Sequence, residues 1–174
     1  MAFRAAQTSR PAPPLRAGSD PPPATVLAVD GGYHGDTLGA MDATPPSIFN
    51  VGQTPWYAPR GLFVDPPTAG RGARGWTVRP PPSAPGTDAV VEGGLDELFD
   101  GSRAAGPVGR AYRASIDAAI DAHEASRAGR LGALLFEPVL QGAGGMRFID
   151  PAWQVGGEGE GWREAQRETH TRTH

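Results

Sequence analysis

Apolar positions along the chain follow three patterns that predict regular structure. Residues 25–29 form a short apolar run closed by Asp30, which is typical of a buried strand entering a tight turn. Residues 131–136 form a second apolar run of strand length. Between them, residues 109–130 carry side chains on one helical face at Tyr112, Ile116, Ala119, Ile120 and His123. Strand, helix and strand together predict an α/β fold with a mostly parallel sheet.

The remaining segments predict irregular structure. A helix is expected to begin within residues 34–43 and to stop at two prolines, and residues 45–67 are expected to form an irregular loop that packs through aromatic side chains. Residues 69–87 are rich in Gly, Arg and Pro, which predicts a disordered insertion. We expect residues 1–23 to be a helix end followed by a Pro-rich linker, and residues 154–174 to be a disordered tail. The partial domain then spans residues 24–153.

Composition limits the chemistry that the chain can perform. With 25 Gly and 19 Pro among 174 residues and 39% apolar residues, only parts of the chain can pack into a core. The net charge of -3 is spread along the sequence, so no nucleic-acid partner is expected. No apolar run is long enough to span a membrane or to act as a signal peptide. Cysteine is absent and all 16 basic residues are arginine, which excludes thiolate chemistry and any amine side chain.

Two clusters of turn and polar residues follow the two predicted strands. Residues 32–37 read GYHGDT and residues 137–146 read EPVLQGAGGM. Because carboxyl ends of parallel strands lie at one edge of a sheet, the two loops are expected to share a cleft that Tyr33 and Glu137 face. The alternative is that each loop is only a tight turn in which glycine supplies a positive φ.

Two other binding sites are poorly matched by these residues. The glycine run is not a dinucleotide-binding fingerprint, because Arg147 stands where the third glycine is required. A zinc site built from His34, Asp36 and His123 would need a ligand spacing that matches no known pattern.

Residues 32–41, GYHGDTLGAM, are very similar to a segment of the adenosylmethionine-8-amino-7-oxononanoate aminotransferases. Residues 136–148, FEPVLQGAGGMRF, followed by DPAW at 150–153, resemble the next block of that family in the same order. Residues 50–67 look most like the fungal version, in which this enzyme is fused behind a dethiobiotin synthetase in one mitochondrial polypeptide.

The resemblance implies a fold, a cofactor and site residues. It implies part of the large domain of a fold-type I enzyme that binds pyridoxal phosphate, forms homodimers and converts 8-amino-7-oxononanoate into 7,8-diaminononanoate with S-adenosylmethionine as amino donor. Tyr33 would stack on the cofactor ring, His34 would support the turn, and Glu137 would lie beside the cofactor. Gln141, Gly142 and Gly144 would form the loop on the substrate side. The localisation would be mitochondrial for the fungal version and cytoplasmic otherwise.

The resemblance also shows what this chain lacks. The family's reaction needs a lysine that bonds to the cofactor and moves a proton, and the sequence has none. A Gly-Ser loop for the phosphate and an aspartate for the pyridine nitrogen also find no counterpart. We therefore expect a fragment without catalytic residues of its own, which binds the cofactor weakly or not at all. On this interpretation Met1 is an internal methionine, and the sequence after Trp153 is read from an intron boundary.

Two further hypotheses come from other functional classes. The chain could be a non-catalytic binding module that docks on a complete aminotransferase through the Tyr33 and Glu137 loops. It could also be a truncated gene product without function. The surrounding DNA separates them, because flanking open frames that encode the missing lysine would identify an enzyme gene with wrong boundaries.

Overall fold

The computed structural model describes residues 24–86, 89–126 and 130–156, which form short strands and helices. The elements follow one another in this order: β1 (Ala24–Val29), α1 (Leu38–Asp42), β2 (Gly61–Val64), β3 (Thr68–Gly72), β4 (Gly75–Arg79), β5 (Ala89–Glu92), α2 (Leu95–Leu98), α3 (Ser102–Ala105), α4 (Pro107–Ala125), β6 (Arg130–Leu135), β7 (Leu140–Gln141), β8 (Arg147–Phe148) and α5 (Pro151–Gly156).

A parallel three-stranded sheet places the two predicted strands next to each other. Its order is β2, β1, β6, and both neighbours run parallel to β1. The central strand β1 buries Leu27, Ala28 and Val29, as expected of a continuous apolar run in a parallel sheet. The prediction of an α/β fold with a parallel sheet and with strands at these two positions is confirmed.

The third strand of this sheet was not predicted. β2 has only four residues and begins with Gly61, and its side chains are all half-buried. The sequence of β2 shows no alternation of apolar and polar residues. The strand is held by backbone hydrogen bonds to β1, in a register that pairs Leu27 with Leu62. The interpretation of residues 45–67 as one irregular loop is therefore wrong at residues 61–64.

Helix α4 covers one face of the core and confirms the clearest periodic pattern in the sequence. Pro107 occupies its first turn, where the missing N–H costs nothing. Tyr112 is fully buried in a cluster with Val29, Ile149 and Trp153, and Ile116 packs against that cluster. The predicted helix end at Gly129 lies outside the described residues.

The predicted disordered insertion at 69–87 is replaced by a β-hairpin over most of its length. Strands β3 and β4 pair antiparallel, and β4 pairs with β5 on its other side. Val78 is fully buried and packs with Leu98, while the Trp76 ring lies 5.2 Å from the Phe148 ring. Composition predicted disorder because the apolar partners of this hairpin, Leu98 and Phe148, lie outside the segment. Residue 87 lies outside the described residues.

The chain ends are described only in part. Residues 1–23, where a helix end and a Pro-rich linker were predicted, and residues 157–174 lie outside the described residues. The prediction of a disordered tail from residue 154 is wrong at its start, because Gln154 belongs to α5. The Gln154 side chain accepts a hydrogen bond from the backbone N–H of Val139 and donates one to the backbone carbonyl of Glu137. Within the described part of the chain, no helix is long and apolar enough to cross a membrane.

Asp150 links three elements from inside the core. Its carboxylate is fully buried and accepts two hydrogen bonds from the Arg103 guanidinium, at 2.7 and 2.9 Å. It also accepts bonds from the Tyr112 hydroxyl at 3.2 Å and from the backbone N–H of Ala152 at 3.1 Å. Because each oxygen has its partners, this buried charge is tolerated and fixes how α3, α4 and α5 meet.

Asp150→Asn is expected to lower the free energy of unfolding by roughly 3–5 kcal/mol, because it leaves the Arg103 charge without its anionic partner in the core. Urea denaturation followed by circular dichroism measures the loss. Arg60→Ala is the matched control, since it breaks an ion pair with Asp42 in which the arginine side chain is 74% exposed. We expect a change below about 1 kcal/mol for that control, and equal losses for the two variants would contradict the assignment.

Candidate functional site

The loops that follow β1 and β6 are joined by one carboxylate. The backbone N–H of Tyr33 donates to Glu137 Oε1, and the backbone N–H of Gly142 donates to Glu137 Oε2, both at 3.0 Å. Because β1 and β6 are neighbouring parallel strands, their ends lie at the same edge of the sheet. The prediction that Tyr33 and Glu137 lie at adjacent strand ends is confirmed.

Gln141 and Arg147 hold the turn that leads to Tyr33. The Gln141 side chain is fully buried, and its Nε2 donates to the backbone carbonyl of Asp30 at 2.8 Å. Arg147 Nε donates to Gln141 Oε1 at 2.9 Å, and Arg147 Nη2 donates to the same Asp30 carbonyl. The sequence predicted Gln141 as a loop residue, but it did not predict that Asp30 and Arg147 belong to the site. Arg147 was noted only because it interrupts the glycine run.

Two glycines let the loops approach closely. Gly31 has φ +71°, a left-handed conformation that side chains rarely adopt. A Cβ atom added at Gly144 would lie 2.1 Å from the Gly31 carbonyl oxygen, so only glycine permits this backbone contact. The predicted site residues Tyr33, Glu137, Gln141, Gly142 and Gly144 therefore belong to one connected cluster.

Tyr33 presents its ring at the edge of this cluster. The ring is half-buried and meets the edge of the Phe49 ring at a centroid distance of 6.1 Å and an interplanar angle of 62°. The Asp36 carboxylate, as a hydrogen-bond acceptor near the hydroxyl, raises the pKa of Tyr33 above its ordinary value of 10.0, and burial and the charge of Asp36 act in the same direction. The hydroxyl therefore stays protonated at neutral pH.

His34 has a buried imidazole without hydrogen-bond partners. Its Nδ1 and Nε2 atoms are both inaccessible to solvent and find no partner among the described residues. Burial lowers the pKa of His34 below 6.5, and the nearby charge of Glu137 opposes that shift. The neutral imidazole therefore leaves one donor and one acceptor unsatisfied, and a polar group could bond to them only if the surrounding residues move to expose them.

Metal binding has no support in this part of the molecule. Across residues 24–86, 89–126 and 130–156, no three His, Asp or Glu side chains lie together in an arrangement that could hold a metal ion. The zinc alternative from His34, Asp36 and His123 is thus not assembled.

Comparisons with known proteins agree with the motifs. No protein-family model matches the chain. A mitochondrial bifunctional dethiobiotin synthetase/7,8-diamino-pelargonic acid aminotransferase from Arabidopsis thaliana is 43% identical over 135 residues, which cover 74% of this chain and 16% of the plant protein. A bifunctional dethiobiotin synthetase/adenosylmethionine-8-amino-7-oxononanoate aminotransferase from Emericella nidulans is 37% identical over 136 residues, 74% of this chain and 17% of the fungal protein. An adenosylmethionine-8-amino-7-oxononanoate aminotransferase from Synechococcus elongatus is 33% identical over 134 residues, 76% of this chain and 23% of that protein.

The chain is therefore related to aminotransferases of biotin biosynthesis. It is similar to a segment of the adenosylmethionine-8-amino-7-oxononanoate aminotransferases, as the motifs predicted, and it spans between 16% and 23% of the length of these relatives. Aminotransferase relatives imply pyridoxal phosphate as the cofactor of the parent family. The plant protein is more similar to the chain than the fungal one, so the comparisons do not single out the fungal version.

Gly144→Ala is expected to separate the two loops and to lower the free energy of unfolding by about 1–3 kcal/mol, because the added methyl group meets backbone that cannot move without breaking the cluster. Gly142→Ala is the control two residues away, since a Cβ there would have its nearest neighbour at 3.9 Å. Urea denaturation of both variants provides the comparison. Similar stabilities for the two variants would show that the loops are not in close contact.

The His34 imidazole is expected to titrate below 6.5 in the folded chain. Between that lowered pKa and 6.5 the unfolded chain binds more protons than the folded chain, so stability falls as the pH is lowered through this window. A pH titration followed by NMR, together with urea denaturation at several pH values, measures both effects. His34→Gln should remove this part of the pH dependence, whereas a His34 pKa at or above 6.5 would contradict a buried, unpartnered imidazole.

Proposed function

We propose that this chain forms the ring-facing part of a pyridoxal-phosphate site in an aminotransferase of biotin synthesis. The parent enzyme would convert 8-amino-7-oxononanoate into 7,8-diaminononanoate with S-adenosylmethionine as amino donor, on a fold-type I framework and as a homodimer. The observation that carries this proposal is the cluster in which Glu137 holds the backbone of Tyr33 and Gly142 at adjacent strand ends.

The side chains in this cluster suit one side of the cofactor. The exposed part of the Tyr33 ring is a flat surface for stacking on the pyridine ring, and its contact with Phe49 limits its rotation. The buried nitrogens of His34 have no hydrogen-bond partner, and they could bond a polar group of the cofactor or of the substrate only once binding exposes them. Both oxygens of Glu137 already accept backbone hydrogen bonds at the sheet edge. Its role is therefore to hold the loops in place.

Bound pyridoxal phosphate would supply an electron-withdrawing ring on which amino groups are exchanged. That chemistry requires a lysine amine, and none of the 174 residues is a lysine. In our proposal this chain positions the ring and shields it from water, while the amine and most phosphate contacts come from other parts of the parent enzyme. The chain alone would be inactive. Its localisation would be mitochondrial, as the name of the Arabidopsis relative states for that protein.

A second candidate function is a non-catalytic module that docks on a complete aminotransferase. It is favoured by the loop beside Tyr33, which exposes 88% of Ile48, 50% of Phe49 and 67% of Trp56. Apolar side chains clustered on an ordered surface are typical of an interface. Stable binding to a full-length aminotransferase of this family, abolished by Trp56→Ser, would favour this function over the first.

Addition of pyridoxal phosphate to the purified chain is expected to give weak, non-covalent binding with roughly millimolar affinity, because ring stacking on Tyr33 is the main contact available. Absorbance should remain that of the free aldehyde, and borohydride reduction should leave no stoichiometric adduct, because no lysine is present. Tyr33→Ala should weaken the binding measurably, whereas Trp56→Ser should leave it unchanged. Micromolar binding with a stable adduct, or binding that ignores Tyr33, would refute the proposal.

A further inference from the structure

Arg147 reaches the candidate site through the Gln141 side chain and through the backbone of Asp30. Its side chain is 33% exposed, and its Nη2 atom lies 4.0 Å from the Asp30 carboxylate. Its guanidinium donates hydrogen bonds to Gln141 Oε1 and to the Asp30 carbonyl, so its bond to the first loop goes to the backbone ahead of Tyr33. The guanidinium also lies against Gly31, where a Cβ atom would be 2.0 Å from Arg147 Nη2.

The backbone that Arg147 holds is the short turn from β1 to Tyr33. The Asp30 carbonyl accepts bonds from both Arg147 and Gln141, while the Asp30 N–H donates to the Val64 carbonyl at 2.8 Å. Gly31 in its left-handed conformation and Gly32 then connect this fixed peptide to Tyr33. Glycine can adopt many backbone conformations, so the two glycines alone do not fix the conformation of this turn. Its conformation therefore depends on the hydrogen bonds that neighbouring side chains make to it.

We propose that Arg147 is a positioning residue for the candidate cofactor site. From strand β8 it clamps the peptide after Asp30, and the clamp fixes where the Tyr33 N–H meets Glu137 and where the Tyr33 ring is presented. This inference rests on the proposed function for the importance of the ring, but the clamp itself can be measured without any ligand.

The test compares amide hydrogen exchange in the wild-type chain and in Arg147→Met, which keeps the aliphatic length and removes the guanidinium. The Tyr33 amide should exchange about tenfold faster in the variant, because bonds from a charged donor no longer hold the turn closed. The Leu27 amide in the central strand should keep its rate. Arg110→Met is the matched control, since the Arg110 guanidinium also bonds to a backbone carbonyl, that of Ala105, but on the exposed side of α4. It should leave both amides unchanged.

A purely structural role for Arg147 predicts a different result. Equal acceleration of the Tyr33 and Leu27 amides would show general destabilisation, and an unchanged Tyr33 amide would show that the clamp does not act; either result overturns the proposal. If Arg147→Met does not fold, Arg147→Gln takes its place, and loss of the fold in both variants would also overturn the positioning role.

A second measurement links the clamp to the ring. Arg147→Met should weaken pyridoxal-phosphate binding as much as Tyr33→Ala does, and the double variant should bind no more weakly than either one, because both changes remove the same contact. Additive losses would mean that Arg147 contacts the ligand independently of Tyr33, which contradicts a positioning role. If wild-type chain binds no cofactor, the proposed function fails, while the exchange experiment still decides whether Arg147 clamps the turn.

Discussion

The arrangement at the sheet edge depends on the carboxylate of Glu137. This side chain accepts one backbone hydrogen bond from Tyr33, 104 residues earlier, and one from Gly142, five residues later. A charged acceptor makes stronger bonds to N–H groups than a neutral one, and both bonds are partly shielded from water. The Glu137 carboxylate therefore satisfies two loop N–H groups that have no partner in the strands. It also holds together two segments that are distant in sequence. Gln141, Arg147 and Gly144 extend the same junction toward Asp30 and Gly31.

The features that the sequence predicted are those with a local pattern. The apolar runs of β1 and β6 and the apolar face of α4 can be read from consecutive residues, and each was confirmed. The hairpin of β3 and β4 was missed because its buried residue Val78 packs on Leu98, whose contribution no local window contains. β2 was missed because its four residues are held by pairing with the central strand β1, and such a short strand does not require an alternation of apolar and polar residues.

The candidate site was predicted to a similar extent and for related reasons. Short motifs placed Tyr33 and Glu137 after strands, and the parallel sheet then required them to be close together. No pattern revealed that Arg147 and Gln141 would share the carbonyl of Asp30, because a backbone acceptor leaves no trace in the sequence. The free nitrogens of His34 were likewise hidden, since a histidine in a turn is compatible with a solvated ring as well as a buried one.

Positioning and chemistry are separated in this molecule. Every polar group that fixes the turn before Tyr33 is a backbone carbonyl, a backbone N–H, an amide side chain, a carboxylate or a guanidinium, and none of these can form a covalent bond to an aldehyde under ordinary conditions. The exposed part of the Tyr33 ring can stack on a ligand, and the unpartnered His34 imidazole could form hydrogen bonds only once it is exposed. Neither group can replace an amine. Under the proposed function, the segment would hold one face of a planar ligand, because the groups that fix its turn are already bonded to one another. On that proposal the surface is most accurately placed where its backbone is bonded, so Glu137, Gln141 and Arg147 would set the position of the ligand ring. The amine that the reaction needs would come from residues that this sequence does not contain.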